Sequence, residues 1–363
     1  MKLSQVFEGV VLAGELPPHT ADLDISGLAY DSRKVQPGML FFAFPGAKAD
    51  GRQFAAQAVE KGAVAVAAVG DAPLDFPVPW IELKHGRQAL AVAAGNFFSH
   101  PDRRLKITGI TGTNGKTTTS YLLDSVFRHH GFITALIGTI EYRMAGRPMP
   151  SVNTTPESLD LFQLLVELDA LGGTHVTMEA SSHALALGRV HAIEFDTAIF
   201  TNLTRDHLDF HQTMEAYLAA KQSLFNSSVI QGPKHAAINF DDPAAKSIQF
   251  KPNTEVIWYG LEKGAEAQAV GVANTFQGLR FDIQFRGQSH GIESPLIGKI
   301  NVYNILAAWC AAFAQGIEPA LIAQGIRQCS AIPGDSNAWK RGSPSWSSWT
   351  TRIPTMPCET QSP

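Results

Sequence analysis

The sequence predicts an α/β protein whose larger unit is a parallel β-sheet covered by helices. Short β-branched runs alternate with segments of helical spacing from about residue 105 to 260, and a glycine-rich turn joins the first such strand to the first such helix. Residues 1–95 carry apolar strands and helices of their own. We therefore expect two folded units, residues 1–95 and 96–333, with a polar, turn-rich linker between them.

Five segments predict buried strands and three predict helices. The strands are expected at 105–111, 174–180, 195–203, 235–240 and 255–260, and the helices at 120–131, 158–173 and 214–226. Residues 266–292 predict a small antiparallel patch that precedes a helix through Ala312. The apolar stretch 300–317 contains Asn301, Asn304 and Gln315, which favours a buried helix over a membrane span.

Composition indicates a cytoplasmic protein that binds neither nucleic acid nor membranes. The net charge is −4 and the lysines and arginines are scattered, so no basic surface is predicted. The three cysteines show no paired spacing, which fits a reducing compartment without a cysteine metal site. The first fourteen residues form a short, interrupted apolar stretch, unlike a signal peptide.

The most informative segment is Thr-Gly-Thr-Asn-Gly-Lys-Thr-Thr-Thr at residues 111–119. A glycine-rich turn between a strand and a helix directs backbone N–H groups and the positive end of the helix into one concavity, which suits phosphate. Lys116 is placed to reach the outer phosphates and Thr117 to bind Mg²⁺. The usual spacing of four residues between the glycines is not kept, because Ile110 occupies the expected glycine position. An ordinary strand–helix turn is the alternative.

Polar residues follow two further predicted strands, at the edge where parallel sheets bind ligands. Glu179 offers the oxygen ligands that Mg²⁺ prefers, and Arg189 suits a carboxylate or phosphate. The segment 201–211 adds Asp206, His207, Asp209 and His211. A zinc site there is one alternative, although no cysteine accompanies the histidines; a structural polar strand end is another.

Three other segments remain ambiguous on local pattern alone. Residues 153–158 predict a capped helix N-terminus, whose free N–H groups also suit an anionic substrate. Residues 31–54 predict a surface β-hairpin or a polar cluster around a strand. Lys221 is expected to be a solvated helix lysine.

In this order, "TGTNGKTTT", "NTTPES", "SSHALALGRV", "TNLTRDHLDFH" and "AYLAAK" resemble the Mur ligases of peptidoglycan synthesis. The front segment "DSRKVQPGMLFFAFPGAKADG" is similar to family members with one type of nucleotide-sugar domain. Together these motifs favour the branch that adds the third amino acid of the peptide, diaminopimelate or lysine. The resemblance covers about residues 20–334 and implies a UDP-sugar domain followed by an ATPase domain.

The resemblance implies an ATP- and Mg²⁺-dependent ligase that works through an acyl phosphate. ATP would bind Gly112, Thr113, Asn114, Gly115, Lys116, Thr117 and Thr118. Lys116, His207 and Lys221 would be catalytic, and Mg²⁺ would bind Thr117, Glu179 and a carbamylated Lys221.

The implied partners are UDP-N-acetylmuramoyl-L-alanyl-D-glutamate and a diamino acid, with a monomer as the expected state. The resemblance places the uridine diphosphate end on Ser32, Ala47, Lys48 and Ala49, and the rest of this substrate on Asn153, Thr154, Thr155, Ser181 and Arg189. Leu187 departs from the family, which often has a polar residue there.

The resemblance stops after Pro333-Gly334, where family members continue into a Rossmann-like domain of ~150 residues. Residues 334–363 have no hydrophobic period and are rich in Ser, Thr, Pro and Trp, which predicts a disordered tail in place of that domain. We hypothesise a frameshift, because one shifted frame of the degenerate codons permits family-like residues; the nucleotide sequence around codon 334 decides this. Weak nucleotide binding and little ligation would follow.

Two other functions stay open at this point. A folylpolyglutamate-type ligase would share the ATP domain but generally lacks the front segment. A non-catalytic nucleotide-binding remnant would fit the aberrant tail, and nucleotide binding without ligation would favour it.

Overall fold

The structure, a computed structural model, describes residues 1–46, 49–226, 232–329 and 332. The predicted hinge Pro333-Gly334 and tail 334–363 lie outside the described residues. Two β-sheets form the molecule, one of four strands near the N-terminus and one of eleven strands. The boundaries at residues 95 and 333 remain predictions.

The N-terminal sheet is parallel, in the order β1-β2-β3-β4. Its strands are β1 (Gly27–Ala29), β2 (Met39–Ala43), β3 (Ala65–Ala68) and β4 (Trp80–Glu82), and its helices are α1 (Leu3–Val6), α2 (Ala55–Glu60) and α3 (Gly86–Phe97). The β-hairpin interpretation of residues 31–54 is wrong, since β2 pairs in parallel with both neighbours. Its apolar run, buried from Leu40 to Ala43, is typical of an interior parallel strand.

The larger sheet has the order β15-β14-β13-β12-β11-β10-β5-β9-β6-β7-β8. Its strands are β5 (Lys106–Thr111), β6 (Thr134–Ile137), β7 (Glu141–Met144), β8 (Arg147–Pro150), β9 (His175–Glu179), β10 (Thr197–Phe200), β11 (His235–Asn239), β12 (Glu255–Gly260), β13 (Ala267–Thr275), β14 (Gly278–Phe285) and β15 (Gln288–Ser294). The helices are α4 (Lys116–His129), α5 (Ser158–Ala170), α6 (Ser182–Leu187), α7 (Leu208–His211), α8 (Met214–Gln222), α9 (Lys299–Ala314) and α10 (Pro319–Gln328).

All five predicted strands of this sheet are present, as β5, β9, β10, β11 and β12, and they pair in parallel. The predicted antiparallel patch is β13–β15. Strands β6, β7 and β8 were not predicted. The edge strand β8 carries two prolines, and such a segment resembles a loop in sequence.

Strand β5 lies between β9 and β10, so the chain switches sides of the sheet at β5. Ligands of open α/β sheets bind at the carboxyl ends of strands beside such a switch. Helices α4, α9 and α10 pack on one face of the sheet, and α5 packs with α3 on the other. The predicted apolar helix is α9, with eleven buried residues. In the described part of the chain, every helix is too short or too polar to cross a membrane.

Buried His175 makes the stability of this fold pH-dependent. Its ring stacks on Phe132 with centroids 4.0 Å apart, and burial, assisted by Lys106, lowers its pKa to about 4. Between pH 6.5 and 4 the unfolded chain binds a proton that the folded chain does not, so the free energy of unfolding falls as the pH falls. A pKa difference of this size corresponds to about 3 kcal/mol.

We predict that His175→Phe, which keeps the aromatic packing, loses about 2 kcal/mol of the change in unfolding free energy between pH 7 and pH 4.5. Urea unfolding of both proteins at pH 7 and pH 4.5 measures it. Equal pH dependence in the two proteins would contradict the assignment to His175.

Candidate active site

The phosphate loop connects the end of β5 to the start of α4, as predicted. Its glycines Gly112 and Gly115 have φ of 148° and 86°, which L side chains rarely adopt. A Cβ on Gly112 would lie 1.9 Å from Thr201 Oγ1, and one on Gly115 would lie 2.3 Å from Asn304 Oδ1. The loop is therefore pressed against the segment after β10 on one side and helix α9 on the other.

Residues after β10 fix the centre of this loop. Asn202 Oδ1 accepts a hydrogen bond from Asn114 N at 2.9 Å, and Asn202 Nδ2 donates to Asn114 O at 3.0 Å. Thr201 Oγ1 donates to the same carbonyl at 2.7 Å. The sequence analysis missed Asn202 and Asn304. For Asn304 a signal exists, because a buried asparagine in an apolar helix must have a polar neighbour.

Two lysines converge on the carbonyl oxygen of Gly112. Lys116 Nζ donates to Gly112 O and Thr113 O, both at 2.8 Å, and Lys221 Nζ donates to Gly112 O at 2.8 Å. Only 1% of Lys221 is exposed, so its interpretation as a solvated helix lysine is wrong. Its Nζ lies 4.3 Å from the ring centroid of Tyr217, whose hydroxyl lies 3.2 Å from Thr113 Oγ1.

The surroundings of these two lysines lower the pKa of both amines. Burial, followed by repulsion from Lys116, lowers the pKa of Lys221 to about 6. Burial also lowers the pKa of Lys116, while Glu179 and Asp206 oppose that shift. At neutral pH the Lys221 amine is therefore uncharged, which makes it a nucleophile.

Glu179, at the end of β9, faces the loop. Its Oε1 accepts hydrogen bonds from Thr117 Oγ1 and Thr139 N, and its Oε2 from Thr139 Oγ1, all at 3.0 Å. A carboxylate beside hydroxyls is an oxygen donor set that fits Mg²⁺. The alternative of a zinc site at 206–211 has no support, since no group of three or more His, Cys, Asp and Glu in the described residues could hold a metal ion.

The residues predicted for the dipeptide part of the substrate meet beside Glu179. Thr155 Oγ1 donates to Glu179 O at 2.7 Å and accepts from Ser181 N at 3.1 Å. Arg189 Nη1 donates to Thr155 O at 3.0 Å. Thr154 Oγ1 lies 3.0 Å from Thr139 Oγ1, and Asn153 is exposed next to it.

His207 lies at the rim of this site. It has a φ of 51°, its Nε2 is 3.5 Å from Asp206 Oδ2, and its ring lies 4.9 Å from that of His183. His183 and His211 also face each other, and burial lowers the pKa of both.

The predicted uridine diphosphate residues lie in the N-terminal unit. Ser32 is buried, and its hydroxyl donates to Gln57 Oε1 at 2.7 Å. Ala49 O accepts a hydrogen bond from Gly46 N at 2.8 Å. Ala47 and Lys48 lie outside the described residues.

The contact between Gly115 and Asn304 predicts a specific effect of an added methyl group. Gly115 and Gly131 stand at opposite ends of α4 with φ of 86° and 88°, but a Cβ on Gly131 would have no atom within 4 Å. We expect Gly115→Ala to lower the affinity for Mg·ATP on the order of tenfold or more, because the loop must shift. Gly131→Ala carries the same backbone strain and should keep its affinity.

Isothermal titration calorimetry measures both variants. Equal affinities, in proteins with wild-type circular dichroism, would show that the loop does not hold the nucleotide.

Known proteins are similar to this chain in sequence and fold. The family model "Mur ligase middle domain" matches residues 110–312, and the model "Mur ligase family, catalytic domain" matches residues 24–98. A UDP-N-acetylmuramoyl-L-alanyl-D-glutamate--2,6-diaminopimelate ligase of Solibacter usitatus is 56% identical over 344 residues, which cover 95% of this chain and 70% of that protein.

Two solved structures are similar. A structure of a UDP-N-acetylmuramoyl-L-alanyl-D-glutamate--2,6-diaminopimelate ligase has a TM-score of 0.78 at 27% identity and covers 90% of this chain and 66% of that chain. The MurF ligase of Thermotoga maritima, solved in complex with ADP, has a TM-score of 0.58 at 18% identity, covering 83% and 66%. This chain spans about two thirds of the length of these proteins. With both family models matched and 56% identity across nearly all of its length, the chain belongs to the Mur ligase family.

Proposed function

We propose that this chain is an ATP-dependent carbon–nitrogen ligase of cytoplasmic peptidoglycan precursor synthesis. It acts on UDP-N-acetylmuramoyl-L-alanyl-D-glutamate and adds meso-diaminopimelate, with L-lysine as the alternative amine, and it works as a monomer. One observation carries the proposal: the phosphate loop with Lys116 and Lys221 lies next to the Thr155–Ser181 cluster, and Glu179 contacts both.

The reaction has two steps on this site. A D-glutamate carboxylate oxygen attacks the γ-phosphorus of ATP, ADP leaves, and an acyl phosphate forms. The amine then attacks the acyl carbon, phosphate leaves and a proton is lost, which gives the amide. Both reactants of the first step are anions, so the site must neutralise charge and align the groups.

The residues around Gly112 suit this task. Lys116 supplies a positive charge at the loop where the outer phosphates would bind. Thr117 and Glu179 would hold Mg²⁺, which when bound neutralises phosphate charge. Thr155, Ser181 and Arg189 would orient the dipeptide so that its carboxylate points at the loop, and His207 would line the entrance.

The uncharged amine of Lys221 supports its proposed carbamylation. A neutral amine attacks CO₂ and forms a carbamate with release of one proton, which replaces an uncharged amine by an anionic oxygen ligand for a second Mg²⁺. The buried setting and the pKa of about 6 favour this step at pH 7 to 8.

We predict a carbamate carbon signal in the NMR spectrum of the protein in ¹³C-bicarbonate. Lys221→Arg should lack this signal, because a guanidinium does not react in this way. An identical spectrum of the variant would contradict carbamylation of Lys221.

Binding experiments test the proposed substrates without requiring turnover. We expect calorimetry to detect binding of Mg·ATP and of UDP-N-acetylmuramoyl-L-alanyl-D-glutamate, with much weaker binding of the precursor that lacks D-glutamate.

Lys116→Ala should lower the affinity for Mg·ATP by on the order of tenfold to a hundredfold, the usual effect of a charged hydrogen bond.

Lys234→Ala is the matched control, since that lysine is exposed and forms an ion pair with Asp196. Binding of a folate but not of the UDP-muramoyl dipeptide would instead support a folylpolyglutamate-type ligase.

A further inference from the structure

Three charged side chains outside the phosphate loop meet where the N-terminal unit contacts the larger sheet. Glu157 Oε1 lies 3.2 Å from Arg87 Nε and 3.0 Å from Arg189 Nε. Arg87 belongs to the first turn of α3, Glu157 precedes α5, and Arg189 follows α6. The backbone of Gly188 packs so closely on Gln88 that a Cβ would lie 2.7 Å from its Cγ, which holds the two arginines side by side.

The cluster carries more positive than negative charge. Two guanidinium groups share one carboxylate oxygen, which leaves a formal charge of +1. The side chains of Arg87, Glu157 and Arg189 are only 16%, 10% and 17% exposed. Arg189 Nε, although close to Glu157, has no aligned hydrogen-bond partner among the described residues, and neither has Glu157 Oε2. Two guanidinium groups that share a single carboxylate oxygen suit a further anionic partner.

Hydrogen bonds hold two nitrogens of Arg87, Nε and Nη1, and one nitrogen of Arg189, Nη1. Arg87 Nη1 donates to Pro45 O at 3.1 Å, and its guanidinium lies 4.6 Å from the ring centroid of Phe44. Arg189 Nη1 donates to Thr155 O at 3.0 Å. The Nη2 group of each arginine has no partner within the described part of the chain. The two guanidinium groups therefore present their free Nη2 donors from fixed positions.

We propose that Arg87 binds substrate together with Arg189, as one anion-binding pair that Glu157 aligns. The ligand is an anionic group of the UDP-muramoyl dipeptide, a carboxylate or the diphosphate, so this inference rests on the proposed function. The position favours this substrate over ATP: Pro45 precedes the residues predicted to hold the uridine diphosphate, and Thr155 belongs to the predicted dipeptide site. Arg87 lies between these two sites.

The test measures binding to Arg87→Met, which keeps the aliphatic stem on Phe44. We expect the dissociation constant for UDP-N-acetylmuramoyl-L-alanyl-D-glutamate to rise on the order of tenfold or more, with a weaker salt dependence, and that for Mg·ATP to stay unchanged. Binding of UDP alone shows which anionic group Arg87 contacts, because Arg87→Met lowers the affinity for UDP only if Arg87 binds the diphosphate. Unchanged binding of the dipeptide substrate would overturn the proposal.

Two more variants separate anion binding from a purely structural role. Glu157→Gln keeps an acceptor for the arginines but raises the charge of the cluster, so substrate should bind equally or more tightly. If the ion pairs had only a structural role, Glu157→Gln would weaken substrate binding as Arg87→Met does, and that result would overturn the proposal. Arg103→Met is the control, since its exposed ion pair with Glu194 lies at the other end of β5 and should leave binding unchanged. If the wild-type chain binds no UDP-muramoyl dipeptide, the proposed function itself fails.

Discussion

The carbonyl oxygen of Gly112 accepts hydrogen bonds from two lysines, half-buried Lys116 and buried Lys221, and the chemistry of the site follows from this contact. A carbonyl offers a partial negative charge only, so it cannot compensate two ammonium groups in a buried setting. Burial, together with repulsion from Lys116, lowers the pKa of Lys221 to about 6. One positive charge, on Lys116, and one nucleophilic amine, on Lys221, lie at the same oxygen, which suits a polyanionic ligand and a modified lysine.

The fold brings these groups together because three strand ends meet at the switch point of the sheet. Strand β5 supplies the loop, β9 ends in Glu179, and β10 leads into Thr201 and Asn202, which hold the loop from the side. Helices α8 and α9 then close the site with Lys221 and Asn304. At the same edge, Arg87 of the N-terminal unit forms an ion pair with Glu157 of the larger unit. A substrate that extends from the N-terminal turn to the phosphate loop would cross all of these residues.

The features that depend on local sequence pattern and on the order of segments along the chain could be predicted. The parallel strands, the loop at 112–118 and the position of Glu179 follow from apolar runs and from polar residues at strand ends. Asn202 and Tyr217 could not be predicted, because their partners lie about 90 or more residues away in the chain and no local period marks them. Lys221 shows the limit most clearly: its helix pattern indicates a solvated side chain, while packing against Tyr217 and Gly112 buries it. Strands β6–β8 were missed because each is only four residues long, and β7 and β8 also carry polar residues or proline.

A crystal structure with Mg²⁺ and a non-hydrolysable ATP analogue tests the central claim most directly. We predict that the triphosphate binds along Gly112–Thr118. Lys116 Nζ should then move from the carbonyls of Gly112 and Thr113 to a phosphate oxygen. We also predict a metal ion between Thr117 Oγ1 and Glu179. An analogue bound elsewhere, with both hydrogen bonds of Lys116 to the loop unchanged, would contradict it.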